Sequence, residues 1–340
     1  MQKRVLVAGG AGFIGSHTTV ELIEAGYDVV IVDNLSNSEA SVVERIGQIV
    51  GKSVAFEQVD CCDEEAMREV FKKYSFDAVI HFAAYKAVGE SVGAPLKYLR
   101  NNLDSLMVVI SLIREFGVRN LVFSSSCTVY GQADVLPVTE QTPRKEAESP
   151  YGYTKQISED VIEKCAKTYE DFAGIALRYF NPVGAHPTAI IGEQPIGVPA
   201  NLIPFVTQAA AGIRGELSVF GDDYNTPDGS AVRDYIDVID LARAHVSAVG
   251  RMVEGAQKNP YEIFNVGTGR GVSVLEIISE FEKVTGVKVP YKIVGRRAGD
   301  IEKIWGDTTL ANEELGWKAV RTLGDTLLSA WKWQCALNEK

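Results

Sequence analysis

Three features of the chain predict an α/β fold built on a doubly wound parallel sheet, with a smaller α/β lobe following it. Short apolar runs alternate with stretches of helical periodicity, the first run empties into a glycine turn, and after Asn181 the texture shifts to Pro- and Gly-rich loops. The strand candidates are residues 4–8, 28–32, 53–59, 78–82, 120–124 and 174–178. Their near-continuous Val, Ile, Leu and Phe content suits strands buried on both faces. Between them, 18–25, 64–74 and 99–116 carry helical periodicity, and strands joined by helices are βαβ units. Beyond Asn181, Pro182, Pro187, Pro195, Pro199 and Pro204 mark binding loops placed after the last wound strand. Segments 233–238 and 261–266 read as strands returning to the first domain, and 275–284, 309–315 and 323–333 as amphipathic helices of the smaller lobe, with Trp331 and Trp333 as core packing. The expected division is 1–180 plus about 234–268 for the first domain, and about 181–233 plus 269–340 for the lobe.

With 340 residues, 46% of them hydrophobic, the chain is long enough for a full core and a second lobe. A net charge of −11 without a long Lys/Arg run leaves no electrostatic footprint for nucleic acid or an anionic membrane, so an anionic ligand must be met by local groups. No apolar run reaches membrane-spanning length, and no leader pattern precedes the first strand. Cys61, Cys62, Cys127, Cys165 and Cys335 form an odd set without metal-ligand spacing, which fits reduced thiols in a cytoplasm. His17, His81, His186 and His245 are scattered, and no metal site is expected.

The run Val5 to Ala8 opens into Gly9, Gly12 and Gly15, a spacing one residue longer at its first interval than the Rossmann Gly-x-Gly-x-x-Gly. Glycines let a backbone approach a pyrophosphate, and the following helix offers free N–H groups and a positive dipole end. Asp33 lies about 20 residues on, at the end of the second strand, where an acid accepts from ribose hydroxyls. Asn34 and Leu35 follow with no Arg to receive a 2′-phosphate, so NAD is favoured over NADP. Asp60 faces the adenine edge or caps a helix, and Phe82, Ala83 and Ala84 run along the diphosphate or simply pack.

Tyr151 and Lys155 stand at i and i+4, on one helix face, which places an ammonium beside a phenol. Lowering a tyrosine from about 10 by roughly 3 units takes about 4 kcal/mol of preference for the anion. Lys155 and a cationic nicotinamide ring are expected to supply it together.

With the glycine turn, Ser124-Ser125-Ser126 and Tyr151-x-x-x-Lys155 in that order, the chain resembles the extended short-chain dehydrogenase/reductases. The blocks Asp33 to Ser38, His81 to Ser91, Arg178 to Pro187 and Val232 to Ile236 narrow the resemblance to the UDP-glucose 4-epimerase family, from one end nearly to the other. It implies Tyr151 as the proton acceptor, Lys155 on the nicotinamide ribose and Ser126 on the sugar O4. It implies NAD contacts from Gly9, Gly12, Phe13, Ile14, Gly15, Asp33, Asn34, Leu35, Ser36, Asn37, Ser38, Asp60, Cys61, Phe82, Ala83, Ala84, Tyr85, Lys86, Asn101 and Phe180. For the nucleotide sugar it implies Lys86, Asn181, Asn201, Leu202, Ser218, Val219, Phe220, Arg233, Arg297 and Asp300, with Ile304 walling the sugar. Arg233 and Arg297 also make independent sense as diphosphate clamps, because a guanidinium matches phosphate oxygens in a fork. Cys127 and Ala84 depart from the family's usual small residue and glycine without removing a reacting group.

The activity so implied is reversible epimerisation at C4 of UDP-glucose and UDP-galactose, through a transient 4-keto sugar, in galactose metabolism. Weaker action on UDP-N-acetylhexosamines is implied, because Ile304 is intermediate in size. The resemblance also implies a homodimer through helices near 99–116 and 153–169. A nucleotide-sugar 4,6-dehydratase or a hexuronate epimerase or decarboxylase is the nearest rival, and an NAD sensor without turnover is the other. A dehydratase needs an added acid and base, usually Asp-Glu, where this chain has Cys127-Thr128.

Overall fold

The computed structural model describes residues 2–199, 201–297 and 301–339. The first half runs β1 (Arg4–Ala8), α1 (Phe13–Glu24), β2 (Asp28–Val32), α2 (Ser41–Val50), β3 (Ala55–Glu57), α3 (Glu64–Lys73), β4 (Ala78–His81), α4 (Val88–Gly93), α5 (Pro95–Glu115), β5 (Asn120–Ser126), a 3-10 turn (Cys127–Tyr130), α6 (Pro150–Thr168) and β6 (Ala173–Tyr179). Then follow β7 (Asn181–Val183), α7 (Leu202–Ala210), β8 (Leu217–Phe220), β9 (Val232–Arg233), β10 (Tyr235–Asp237), α8 (Val238–Val253), β11 (Tyr261–Val266), β12 (Val272–Ser273), α9 (Val274–Thr285), β13 (Tyr291–Val294), β14 (Lys303–Ile304), α10 (Thr309–Glu314) and α11 (Leu323–Asn338).

Seven strands form one parallel sheet in the order β3-β2-β1-β4-β5-β6-β11, with Val5 opposite both Val29 and Ala78. Successive side chains of a strand point to opposite faces, and β1 divides accordingly. Val5 and Val7 enter one apolar cluster with Val20, Leu241 and Ala248, while Leu6 and Ala8 enter another with Met67, Leu106 and Ile162. Both faces are therefore covered, which explains the unbroken apolar runs. The strand order reverses between β1 and β4, and a crevice at that point, beyond the strands' carboxyl ends, is where such sheets take ligands.

Segment 261–266 joins the large sheet as β11, but 233–238 does not. It breaks into β9, paired with β12 and β14, and β10, paired with β7. Asp234, fully buried, is the breakpoint, its carboxylate accepting Thr268 N and Oγ1 at 2.8 and 2.7 Å and Gly269 N at 3.1 Å. The periodicity reading passes over α8 because its first half is buried nearly all round and continues the apolar run of β10. Helix α10 packs on the large sheet, with Ala311, Leu315 and Trp317 in its apolar cluster, while α7, α9 and α11 enclose a separate core around Val206, Ile277, Phe281 and Leu327. Among the described residues no helix is long and apolar enough to cross a membrane.

Candidate active site

At the reversal point lies a cleft of about 530 Å³, and its floor begins with the glycine turn. Gly9 N donates to Val32 O at 2.7 Å with Gly9 at φ 81°, a left-handed conformation that favours glycine. A Cβ at Gly9 would stand 2.8 Å from Ala83 N, and one at Gly15 only 2.2 Å from Gly9 O, so turn, helix and neighbouring strand meet too closely for side chains. Gly12 caps α1 without a side chain, leaving the first-turn amides to face the cleft as an anion site.

Asp33, at the end of β2, is buried and faces the same cleft. It accepts Ala11 N at 3.1 Å, Leu35 N at 2.8 Å and Ser38 Oγ at 2.9 Å, and these bonds fix its orientation. Leu35 sits at φ 59°, a rare position for a side-chain-bearing residue, held there by the bond to Asp33. Asp60 is tied across to Asn34 Nδ2 at 3.0 Å and to Cys62 N at 2.8 Å. A backbone cradle at a helix start, with a carboxylate and no arginine at the ribose position, fits NAD.

Ser126 ends β5, and Tyr151 stands in the first turn of α6, whose start is fixed by Gly152 N donating to Ser149 Oγ at 3.1 Å and by Pro150. One turn on, Lys155 Nζ donates to Ser124 O at 2.6 Å and lies 5.8 Å from the Tyr151 ring centre. The i, i+4 juxtaposition is present, but the expected lowering of the phenol is not a property of these two groups alone. Burial holds the Tyr151 phenol well above the ordinary tyrosine value and nearby Tyr179 adds to this, with the Ser126 hydroxyl pulling the other way. Burial also lowers Lys155 to about 7, opposed by the Glu159 carboxylate, so its positive charge is itself partial near neutrality. Glu159 is anchored by Ser125 Oγ at 2.5 Å and by both Arg178 Nε at 2.9 Å and Nη2 at 2.6 Å. Ser124 Oγ is hydrogen-bonded to Tyr179 Oη.

The cleft brings together Gly9, Gly12, Phe13, Ile14, Gly15, Asp33, Asn34, Ser36, Asn37, Ser38, Asp60, Cys61, Phe82, Ala83, Ala84, Tyr85, Lys86, Asn101, Ser126, Tyr151, Lys155, Phe180, Asn181 and Asn201. Leu35 is not in the lining, and neither are Leu202, Ser218, Val219, Phe220, Arg233, Arg297 and Ile304. Asp300 lies outside the described residues. Arg233 Nη1 donates to Val232 O at 2.8 Å and Glu302 O at 3.4 Å, and Arg297 lies over the Phe220 ring, 5.3 Å from its centre. Val219 is buried in the lobe core, which leaves only its backbone to face a ligand. Ile304 is 2% exposed and clustered with Cys127, Val129, Tyr130, Val138 and Phe180, a cluster that reaches the cleft through Phe180 and borders Ser126 in sequence through Cys127.

Sequence reasoning missed Glu193, which reaches Lys86 and Asn201, and Arg45 and Tyr179, which also line the cleft. Trp333, expected as core, is buried yet lines the cleft, donating to Glu193 O at 2.9 Å with Arg45 over its ring. The Gly-Glu-Gln-Pro stretch 192–195 was the available signal, a charged residue flanked by turn formers in a binding lobe.

A doubly wound sheet with a glycine turn at its reversal point and a Tyr-x-x-x-Lys helix opposite defines an extended short-chain dehydrogenase/reductase. A family model described as GDP-mannose 4,6 dehydratase matches residues 6–328. The UDP-glucose 4-epimerase of Dictyostelium discoideum is 48% identical, over 98% of this chain and 96% of its own. Among solved structures, the UDP-glucose 4-epimerase of Stenotrophomonas maltophila with bound NAD and formylated UDP-arabinopyranose superposes with a TM-score of 0.96 at 49% identity, covering 99% of each chain. That of Bifidobacterium longum in complex with NAD+ and UDP gives 0.94 at 46%, covering 98% of each. The chain belongs to the UDP-glucose 4-epimerase family of this class.

Proposed function

We propose that this chain interconverts UDP-glucose and UDP-galactose by NAD-dependent epimerisation at C4, the step that serves galactose metabolism. The observation that carries the reading is the convergence of Ser126, Tyr151 and Lys155 on one cleft with the glycine turn, in a chain 48% identical to a UDP-glucose 4-epimerase. NAD, when bound, supplies the hydride acceptor and donor for C4. Tyr151 takes the O4 proton and returns it, and Ser126 holds that oxygen by its hydroxyl. The partly buried setting that raises the proton affinity of Tyr151 also makes the phenol responsive to positive charge brought near, since low dielectric magnifies the interaction. Lys155, anchored on Ser124 O, adds its own charge and is the group for the nicotinamide ribose.

A sugar that presents both faces of C4 in turn must be free to rotate, so affinity belongs on uridine and diphosphate. Asn181, Asn201, Arg233 and Arg297 are assigned there, with Ile304 and Cys127 shaping the sugar end. Isoleucine leaves UDP-N-acetylhexosamines as poorer substrates. A 4,6-dehydratase is disfavoured by Cys127-Thr128 in place of its acid–base pair, and a turnover-free sensor by the complete Tyr151–Lys155 pair. The unit is a cytoplasmic homodimer, with Leu96 and Met107 on α5 and Tyr153 on α6 exposed as the apolar contact. Sedimentation giving only monomer at micromolar concentration refutes the dimer. Purified protein incubated with UDP-galactose and no added NAD should form UDP-glucose. No interconversion, or a dehydrated sugar product, overturns the reading.

A further inference from the structure

Glu193 lies between β7 and α7, on the lobe side of the cleft, yet its side chain reaches the opposite wall. Oε1 accepts Lys86 Nζ at 3.0 Å and Asn201 Nδ2 at 2.6 Å. One carboxylate oxygen thus gathers an ammonium from the segment after β4 and a carboxamide from the start of α7. Asn201 is the N-cap residue of α7, where an asparagine side chain ordinarily accepts a backbone N–H of its own helix. It makes no such bond, and its amide is turned to Glu193 instead.

The backbone around Glu193 is held as firmly. Its carbonyl accepts Trp333 Nε1 at 2.9 Å, and a Cβ on the preceding Gly192 would stand 2.5 Å from the Trp333 ring, so only glycine lets the segment lie flat there. Gln194 reaches the other way, accepting from Arg45 Nη1 and donating to Glu39 Oε1, each at 3.4 Å. The Glu193 side chain is 11% exposed and that of Lys86 is 47% exposed. A residue whose carboxylate was merely solvated would not have its backbone fixed from α11 and its side chain from both α7 and the segment after β4.

We propose that Glu193 is a positioning residue that holds Lys86 and Asn201 in one arrangement across the cleft, so that cofactor retention and nucleotide-sugar affinity depend on the same carboxylate. This rests on the functional reading above, with Asn201 at the nucleotide sugar and Lys86 at both NAD and the nucleotide sugar, as the family resemblance implies. A lysine is a flexible point charge, and fixing its rotamer before a ligand arrives removes an ordering cost from binding. The carboxylate in turn is masked by its partners, which limits its repulsion of the diphosphates.

The test uses the purified holoenzyme in wild-type, Glu193→Gln, Glu193→Ala, Lys86→Ala and double-alanine forms, reading KM and kcat for UDP-galactose and the rate of NAD loss on prolonged dialysis. Loss of charge-assisted bonds predicts that Glu193→Ala raises KM and accelerates NAD loss by about tenfold each, with kcat within roughly threefold of wild type. Glu193→Gln keeps an acceptor for Asn201 but no charge for Lys86 and falls between the two. In the Lys86→Ala background the effect of Glu193→Ala on NAD loss should shrink below about twofold, because coupled residues are not additive. Wild-type KM and NAD retention in Glu193→Ala overturn the proposal, as does an undiminished effect on NAD loss in the Lys86→Ala background. If the alanine variant does not fold, unchanged KM and retention in Glu193→Gln overturn it and the intermediate values uphold it. A wild type without turnover refutes the functional reading, whereas an active wild type with unaffected variants refutes only the role of Glu193.

Discussion

Across the cleft, two walls meet that are built on different principles. On the dinucleotide side the ligand-facing groups come from short consecutive stretches, 9–15, 33–38 and 82–86, each hung on the end of a strand of one sheet. Many are backbone groups, set by contacts too tight for a Cβ at Gly9 or Gly15. On the lobe side Asn181 and Asn201 line the cleft from separate segments and offer side-chain amides, while Arg233 and Arg297, outside the lining, are the guanidinium groups proposed for the phosphates. Small sheets of two or three strands and the buried Asp234 hold that wall. The contrast suits the proposed reaction, in which a cofactor kept through every cycle is gripped by backbone, while a substrate that must enter, turn and leave is anchored by side chains at one end.

The sharpest way to break this division is at the reacting group. Tyr151→Phe should lower kcat by about a thousandfold, the span of a general acid–base group, while NAD content and thermal midpoint stay near wild type. Near-normal turnover would remove Tyr151 as the proton carrier. A paired comparison tests the walls themselves. Gly15→Ala places a Cβ 2.2 Å from Gly9 O, and overpacking of roughly 1–3 kcal/mol should appear as lost NAD and reduced stability. Arg297→Ala should leave NAD content intact and raise KM by about ten- to hundredfold, the range for a charged hydrogen bond. If Arg297→Ala released NAD as readily as Gly15→Ala, the two walls would not be functionally distinct.

A smaller effect is expected at the sugar end. Ile304→Ala should improve kcat/KM on UDP-N-acetylgalactosamine by about tenfold relative to UDP-galactose, through relief of wall overpacking. An unchanged ratio would show that Ile304 does not set the pocket's size. Smallest per group is the response to acid. Burial lowers His17 and His81 to about 3 and His245 to about 4, all within the sheet half of the molecule. Each is depressed below its unfolded value of about 6.5, so its contribution to stability is full above that pH and declines as pH falls toward the folded value. By pH 5.5 the part of it lost is about 1.4 kcal/mol per histidine. Amide protection factors in β1 and β4 should therefore fall between pH 7 and 5.5 more than in α9 of the lobe, and an equal fall would contradict it.

The strands of the large sheet were legible because burial on both faces writes an unbroken apolar run, as in Arg4–Ala8 and Asp28–Val32. The glycine turn and the Tyr151–Lys155 pair were legible for a related reason: their geometry is set within a few residues, where spacing translates directly into position. Helix α8 was not, because its buried first turn continues the apolar run of β10 without a break, which hides where the period changes. Nor was the break at Asp234, which is enforced by Thr268 and Gly269 from more than a strand away.

What the sequence determined by itself, then, was the parallel sheet, the dinucleotide turn with its ribose acid, and the phenol and ammonium on one helix face, all products of local spacing. Tertiary structure alone decided how the burial of Tyr151 and Lys155 shifts their proton affinities, and that Ile304 clusters with Cys127 and Phe180. It also decided that Glu193 joins Lys86 to Asn201. Burial and contact between segments far apart in the chain depend on how the whole core packs, and no periodicity along the sequence encodes the distance between two residues that only folding makes neighbours.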